Sequence, residues 1–519
     1  MMNDTEVHDN PNQYFEGEDE VHHRSKTTTS KELMTAESPS RSLWMPSGFW
    51  WKDLMYFVGP GWMVCIAYVD PGNYQADIQA GALSRYSLLS IIWWTTLFSI
   101  YVQILCVKLA FYGGMTLSEA QAKYTSPSTT VRYMNWIIAE LSTVIIDLPA
   151  VVGIGIACNT FFSWPYWIGV TLSLLTTMVF LATLNYSTRV LEFIVALFVG
   201  IMAVALFIEM DFVGISTSEM LHGWAFGAAD LGKNDIFAVT GVVGAVVMPH
   251  NLYLHTAAIQ NRSSDVHKDY IDKAVFWLSI EPFAPMLISF FINLAVLAIA
   301  AERVNGTKDA GNVGLTDFCT YFQSLAAGCI MWGIALLAAG QSSAITTTYT
   351  GQHVMDGFLN LQLPIKTRAI VTRLVAITPC IITSVLIPDQ LNQMINIVNA
   401  VISFLLPFAF TPLVLLTCSE SVMGDHATKG FEKGFLHILA FAVWLINAVG
   451  LSTPGGGFFG DWREQSNSVL LLVIEVTIQI FYAWWNWQCI HTTIRKHEMI
   501  QPQLEELELS NADNDHELI

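Results

Sequence analysis

Long apolar runs alternate with short polar connections along this chain, and the pattern predicts a helical protein embedded in a lipid bilayer. An α-helix needs about 20 apolar residues to cross the hydrocarbon core. It also bonds its backbone polar groups internally, as lipid requires. We predict about twelve transmembrane helices, at residues 54–83, 87–112, 133–158, 165–184, 190–210, 236–258, 274–301, 318–350, 368–388, 390–417, 434–453 and 467–490.

The composition supports a membrane protein. Of the 519 residues, 53% are hydrophobic and only 13% are charged, whereas soluble chains carry about a quarter charged residues. Much of the acid behind the net charge of −19 lies in two polar tails, 1–47 and 497–519, which we expect to be disordered. Between the tails we expect a ten-helix core at 48–420 and two additional helices at 421–496.

Lysine and arginine indicate the orientation, because cytoplasmic loops carry most of these residues in membrane proteins. With twelve spans both termini lie on one side, and that side holds most of the basic loop residues. The opposite side has only Arg85, Lys233, Arg303, Lys308 and Arg463. We therefore expect both termini to be cytoplasmic, in either the plasma membrane or an internal membrane.

The eight cysteines form no Cys-x-x-Cys pair, and most of them, including Cys329, fall inside the predicted spans. Free cysteine behaves as a small hydrophobic residue. We therefore expect buried thiols, with no disulfide framework and no cysteine metal ligands.

Two of the spans contain prolines that a plain lipid-facing helix would avoid. Span 1 carries Asp70-Pro71-Gly72-Asn73, and span 6 carries Met248-Pro249-His250. Proline disfavours the helical conformation of the residue before it, so the backbones of Asp70 and Met248 should be extended. Spans 1 and 6 begin two five-helix halves, and matching interruptions in corresponding helices are typical of inverted-repeat transporters.

The residues at these interruptions suggest a metal site. Asp70 and Asn73 offer side-chain oxygens, Met248 offers a thioether, and the carbonyls of Ala67 and Ala245 should be free. Magnesium and calcium prefer oxygen ligands throughout, whereas sulfur favours softer divalent ions such as manganese, iron(II), cobalt or cadmium. His250 lies beyond the break, where a proton-carrying or cavity-lining role fits it better than metal ligation.

Other functions fit the pattern less well. A sodium-coupled amino-acid carrier would present helix N-termini to a carboxylate, which Asp70 would repel. A channel or a metal-sensing receptor on the same fold is the main alternative to a carrier. The chain shows neither a nucleophile–base constellation nor a phosphate loop, so we expect no enzyme activity, no resident cofactor and no nucleic-acid partner.

Several motifs of this chain resemble the NRAMP family of divalent metal transporters. They include the two broken-helix motifs already described and Gly340-Gln341-Ser342-Ser343 in span 8. Leu406-Pro407-Phe408-Ala409 resembles the span-10 motif of the family, and Asn399 lies seven residues before it. The resemblance runs from about residue 50 to residue 420 and excludes the tails.

The resemblance implies an all-α LeuT-type fold with a 5+5 inverted repeat and broken helices 1 and 6. It also implies alternating access and uptake of manganese or iron(II) toward the cytosol, usually with protons, by a protein that we expect to be a monomer. The metal residues of the family correspond to Ala67, Asp70, Asn73, Ala245 and Met248, with Asn399 contributing in some states. Its proton pathway corresponds to His250, Asp147, Arg368 and Arg373, and Glu140 shares one face of span 3 with Asp147.

This chain departs from the family pattern at two positions. The family usually has a glutamate where span 3 carries Ala150, and many animal and plant members have one where Gln75 stands. The acid missing at Ala150 predicts transport that is loosely coupled to protons or uncoupled, unless Glu140 or His250 substitutes for it. Arg368 could also lie at the cytoplasmic edge without a role in proton transfer.

Overall fold

The structure is a computed structural model that describes residues 43–183, 188–232, 235–308, 310–322, 326–361, 364–453 and 469–516. The described residues form helices and no β-strand, with a single isolated bridge between Trp44 and Val266. The α-helices in chain order are α1 (Trp50–Phe57), α2 (Pro60–Cys65), α3 (Pro71–Ser84), α4 (Leu89–Tyr112), α5 (Leu117–Ala120), α6 (Thr129–Phe162), α7 (Tyr166–Thr183), α8 (Thr188–Val213), α9 (Thr217–Phe226), α10 (Ile236–Val246), α11 (Pro249–Ser263), α12 (Ile271–Ile280), α13 (Phe283–Arg303), α14 (Ala326–Leu359), α15 (Ile365–Leu386), α16 (Leu391–Leu405), α17 (Pro407–Thr417), α18 (Glu420–Met423), α19 (Gly430–Ser452) and α20 (Val469–His516).

The helices confirm the predicted fold class. Each of the twelve predicted spans overlaps at least one of them, and within the described ranges nine helical segments are long and apolar enough to cross a bilayer. Predicted spans 1 and 6 are both interrupted. Span 1 consists of α2, a 3₁₀ turn at Ile66–Tyr68, and α3, and span 6 consists of α10 and α11.

Glycines allow the helices to pack closely around the first break. A Cβ on Gly81 of α3 would lie 2.8 Å from Ala300 Cβ and 2.9 Å from the Ala301 nitrogen on α13. A Cβ on Gly153 of α6 would lie 2.6 Å from Cγ of Pro71. Small residues permit such close backbone approach in membrane proteins, and here they fix α3 between α13 and α6.

The structure corrects the cysteine prediction. Cys319 and Cys329 form a disulfide, with their Cα atoms 4.8 Å apart. The predicted span 318–350 begins too early, since α14 starts at Ala326 and Phe318–Tyr321 is a 3₁₀ turn in the preceding loop. Cys319 therefore lies outside the helix, within reach of Cys329 in the first turns of α14. The six remaining cysteines are free and buried, as expected.

Ordered structure extends into both polar tails, which we expected to be disordered. The Trp44 backbone donates to the Asp265 carbonyl and accepts from His267, so the predicted N-terminal tail is ordered by this point. At the other end α20 continues to His516, because its Glu- and Leu-rich sequence favours helix. Residues 1–42 and 517–519 lie outside the described residues. The same holds for Lys233 and Arg463, two of the basic residues used to predict orientation.

Candidate metal centre

The first break forms a compact group of oxygen atoms. The backbone of Asp70 is extended, with φ −80° and ψ 166°, and its carboxylate caps α3 by accepting from the Asn73 N–H at 2.8 Å. The Asn73 side-chain amide donates to the Ala67 carbonyl and to Asp70 Oδ1, both at 2.8 Å. These bonds orient Asp70 Oδ2 and Asn73 Oδ1, two buried oxygens for which the described part of the chain supplies no hydrogen-bond donor.

The second break places a thioether at the N-terminus of α11. The Met248 backbone is extended, with φ −83° and ψ 133°, so both predictions of extended backbone before proline are confirmed. The Met248 side chain is fully buried. Ala245 is also buried, in the last turn of α10.

A small apolar cluster brings the two breaks together. Ala67 of the first break and Met248 of the second belong to one group of packed buried residues, completed by Ile146 of α6 and by Val398 and Ile402 of α16. The thioether therefore lies beside the backbone segment whose carbonyl binds Asn73.

Asn399 of α16 approaches the same centre. Its Nδ2 donates to the Gly72 carbonyl at 2.8 Å, which leaves Oδ1 buried and without a donor among the described residues. A Cβ on Gly72 would lie 3.0 Å from this Oδ1 and 3.3 Å from Asp70 Oδ2. Glycine at position 72 therefore allows the amide of Asn399 and the carboxylate of Asp70 to converge.

The two breaks share one sequence register, Ala-x-x-Asp-Pro-x-Asn at 67–73 and Ala-x-x-Met-Pro-x-Asn at 245–251. In each, the proline stands four residues after the alanine. In a regular helix the residue at that position donates its N–H to the alanine carbonyl, but proline has no N–H to donate. This register also identifies Asn251, which sequence reasoning missed as a candidate. Asn251 is completely buried, and its side chain interacts with the Tyr68 hydroxyl.

This donor set suits a divalent transition-metal ion that must be released again. It offers one carboxylate, two amide oxygens, a thioether and two alanine carbonyls. The Ala67 carbonyl also accepts a hydrogen bond from the Asn73 side chain. Carboxylates and amides bind manganese and iron(II), and the sulfur is a soft ligand. Across the described ranges no three His, Cys, Asp or Glu side chains are grouped to hold a metal.

Two ion pairs join α6 to α15 and contain four of the residues predicted for proton transfer. Arg373 lies 2.8 Å from Asp147 Oδ2, and both side chains are buried. The other oxygen of Asp147 accepts from the Thr347 hydroxyl at 3.0 Å. Arg368 pairs with Glu140 at 2.5 Å and is 4% exposed. Glycine at position 351 leaves the space that its guanidinium fills.

The remaining predicted proton residues lie outside these pairs. His250 in the first turn of α11 is buried, and both ring nitrogens lack a partner within the described part of the chain. His255, further along the same helix, shares these properties. Ala150, where the family glutamate is missing, is completely buried in α6, and that helix runs on without interruption past Pro149.

Comparisons with known proteins agree with this geometry. The family model described as natural resistance-associated macrophage protein-like matches residues 61–453. Metal transporter Nramp3.2 of Populus trichocarpa is 38% identical over 77% of this chain and 79% of its own length. Metal transporter Nramp4 of Arabidopsis thaliana is 35% identical over 83% of this chain and 84% of its own length.

Solved structures similar to this chain also include a metal transporter. The manganese transporter of Eremococcus coleocola superposes with a TM-score of 0.78 at 26% identity, covering 88% of this chain and 98% of that one. Mhp1, in an inward-facing conformation, has a TM-score of 0.50 at 13% identity, a likeness of fold alone. The fold and the broken-helix site thus define an integral membrane transporter of the LeuT type. The chain belongs to the Nramp family of metal transporters.

We predict that Asp70→Asn abolishes metal transport, because it removes the only full negative charge among the ligands. Manganese uptake by proteoliposomes containing each variant measures the effect. Asp77→Asn is the matched control, since it removes a second buried carboxylate from α3 that has no part in the donor set, and it should retain uptake. Near wild-type uptake by Asp70→Asn would show that the site is wrongly assigned.

Proposed function

We propose that this protein carries manganese and iron(II) toward the cytosol by alternating access. The observation that carries the proposal is the convergence of buried oxygens without donors, from Asp70, Asn73 and Asn399, next to the Met248 thioether at two helix breaks. An unpaired buried polar atom is costly. A bound cation would satisfy all three oxygens at once.

The donor chemistry favours transition metals over the more abundant magnesium and calcium. Magnesium holds its water tightly and calcium takes six to eight oxygens, so a site with a thioether and one carboxylate discriminates against both. The manganese transport ascribed to the Eremococcus coleocola relative agrees with this selectivity.

Burial favours a carrier over a channel, which is one form of the main alternative. Asp70 and Met248 are 0% exposed, and Asn73 and Asn399 are 1% exposed. An ion among them would touch neither aqueous phase, as an occluded state of alternating access requires. A conducting channel would instead need a continuous polar path past these residues.

The disulfide supports the proposed orientation. Cys319–Cys329 lies at the loop between α13 and α14, on the side opposite to the predicted cytoplasmic termini. Disulfides persist in extracellular and luminal compartments and are rare in the cytosol. The loop therefore belongs to the outer side, and transport from that side delivers metal to the cytoplasm.

We predict that Met248→Ala changes selectivity more than it changes manganese uptake. Sulfur discriminates against hard, strongly hydrated ions, so calcium and magnesium should compete better in the variant. Cadmium and iron(II) uptake should fall more than manganese uptake. Competition assays in proteoliposomes measure both effects, and an unchanged competition profile would show that Met248 only fills space.

The ion pairs support transport with weak proton coupling or none. Asp147 lies 2.8 Å from Arg373 and accepts a hydrogen bond from Thr347 at 3.0 Å. Breaking a buried pair by neutralising one partner is strongly unfavourable. With alanine at position 150, Asp147 has no neighbouring acid there with which to share a proton, and the pair with Arg373 acts as a fixed contact between α6 and α15.

We predict that manganese import acidifies the lumen of proteoliposomes little or not at all. A pH-sensitive dye inside the vesicles measures the proton flux during uptake. Ala150→Glu should increase that flux, whereas Ala150→Gln, of matched size and unable to titrate, should not. Stoichiometric acidification by the unmodified protein would contradict the proposal and would indicate that Glu140 or His250 carries the proton.

A further inference from the structure

A cavity of about 190 Å³ lies where α19 and α20 meet α10 and α16. Ala400 and Thr240 on its walls belong to the two helices that also carry residues of the metal centre. Ala400 directly follows Asn399 on α16, and Thr240 lies five residues before Ala245 on α10. The cavity therefore borders the helices of the metal centre on the side that faces α19 and α20.

The walls of the cavity are mostly apolar, and the polar side chains on them are hydrogen-bonded within the protein. Thr240 donates to the Ile236 carbonyl at 2.9 Å. Asn447 accepts from the Ser403 hydroxyl at 2.7 Å and donates to the Val443 carbonyl at 2.8 Å. A polar ligand would lose its hydration here without a replacement, so the cavity suits a hydrocarbon.

The volume of the cavity predicts a small apolar occupant. An apolar cavity of about 150 Å³ in a protein stays free of water and can hold a molecule of benzene. A cavity of about 190 Å³ therefore accommodates a short run of methylene groups. If it stayed empty, the atoms on its walls would lose their dispersion contacts on one side.

Close contacts between the helices surround the cavity. Near the metal centre, a Cβ on Gly244 of α10 would clash with the Asn399 carbonyl and would lie 2.7 Å from Cβ of Ser403. One turn earlier on α10, Thr240 meets α19, since a Cβ on Gly450 would lie 2.5 Å from its Oγ1. Because α10 already contacts both α16 and α19 this closely, the helices cannot fill the cavity by moving together.

The cavity is continuous with the lipid-facing surface of α19 and α20. Leu451 and Ile478 line it and are only partly buried. On the same two helices, Ile446 is 38% exposed and Ile480 is 65% exposed. Ile478 lies near the middle of the apolar span Val469–Thr493, at a depth where acyl chains surround a transmembrane helix. Acyl chains are therefore the hydrocarbon available to the cavity.

We propose that this cavity is a binding site for one acyl chain of a membrane phospholipid. The bound chain supplies the contacts that the side chains leave unmade, and it completes the packing of α10 and α16 against α19 and α20. The lining recognises the chain by its shape and apolarity. Since α10 carries Ala245 and α16 carries Asn399, the chain lies directly behind the helices of the metal centre. Its binding does not depend on which ion the protein carries.

Photolabelling in liposomes tests the site. The probe is phosphatidylcholine with a diazirine near the middle of one acyl chain, diluted into unlabelled phosphatidylcholine, and peptide mapping locates the adducts. We expect adducts on the α16 segment that contains Val401 and Phe404, which line the cavity. Ile478→Trp fills the cavity from within and should reduce these adducts at least about fivefold, because a densely packed site has no room for the chain. Ile480→Trp, on the lipid-facing side of the same helix, should leave them unchanged. Equal labelling of the two variants would overturn the site.

Two other occupants would give different results. A photoactivatable sterol that labels the same α16 segment in preference to the phospholipid would overturn the assignment of an acyl chain. Phe458 and Phe459 belong to the connection between α19 and α20. Phospholipid adducts that appear only after Phe458→Ala and Phe459→Ala would show that this connection fills the cavity, and they would also overturn the proposal.

A second variant and a second measurement guard against misfolding. Ile478→Ala enlarges the cavity without filling it and should keep the adducts. In detergent, added phosphatidylcholine should raise the Tm of Ile480→Trp about 3 °C more than that of Ile478→Trp, because a ligand that binds the native state stabilises it. An equal rise in Tm for the two tryptophan variants would contradict binding in the cavity.

Discussion

Two missing N–H groups determine this structure. Pro71 and Pro249 cannot donate to the carbonyls of Ala67 and Ala245, and no water is available in the lipid core to replace them. Both helices break at these prolines, whereas α6 continues past Pro149. At the first break the Asn73 side chain satisfies the Ala67 carbonyl and orients the Asp70 carboxylate. The hydrogen bonds that compensate for the break therefore also shape the proposed site, in which a cation would satisfy the oxygens that lack a donor.

Charged side chains of the second half also hold the junction between α1 and α2, which precedes the first break. At the other end of span 1, Glu281 accepts from the Gly59 N–H at 2.9 Å and the Gly61 N–H at 2.6 Å, capping the N-terminus of α2. An anion there opposes the positive end of the helix dipole. Arg262 of α11 donates to the carbonyls of Tyr56 and Phe57 at the end of α1. Side chains of the second half therefore fix both sides of the α1–α2 junction in the first.

The sequence was sufficient for the fold class and for the two helix breaks, because proline has strong local consequences for the residue before it. The extended backbones at Asp70 and Met248 follow from the residue that comes next. The sequence could not identify contacts between residues that are distant along the chain, because these depend on how the helices pack. Examples are the hydrogen bond from Thr347 to Asp147, the hydrogen bond from Asn392 to Thr316 and the Cys319–Cys329 disulfide. The apolar run that ends in α14 includes Cys319, and hydropathy alone cannot reveal that a turn and a loop precede the helix.

Direct location of the ion tests the central claim, that the two breaks form one metal centre. Crystals of the protein grown with manganese would give an anomalous difference map whose peaks mark the metal. We expect a principal peak between the breaks, within coordination distance of Asp70, Asn73, Met248 and the Ala245 carbonyl. A principal peak elsewhere, for example beside Glu140 and Asp147, with none at the breaks, would contradict it.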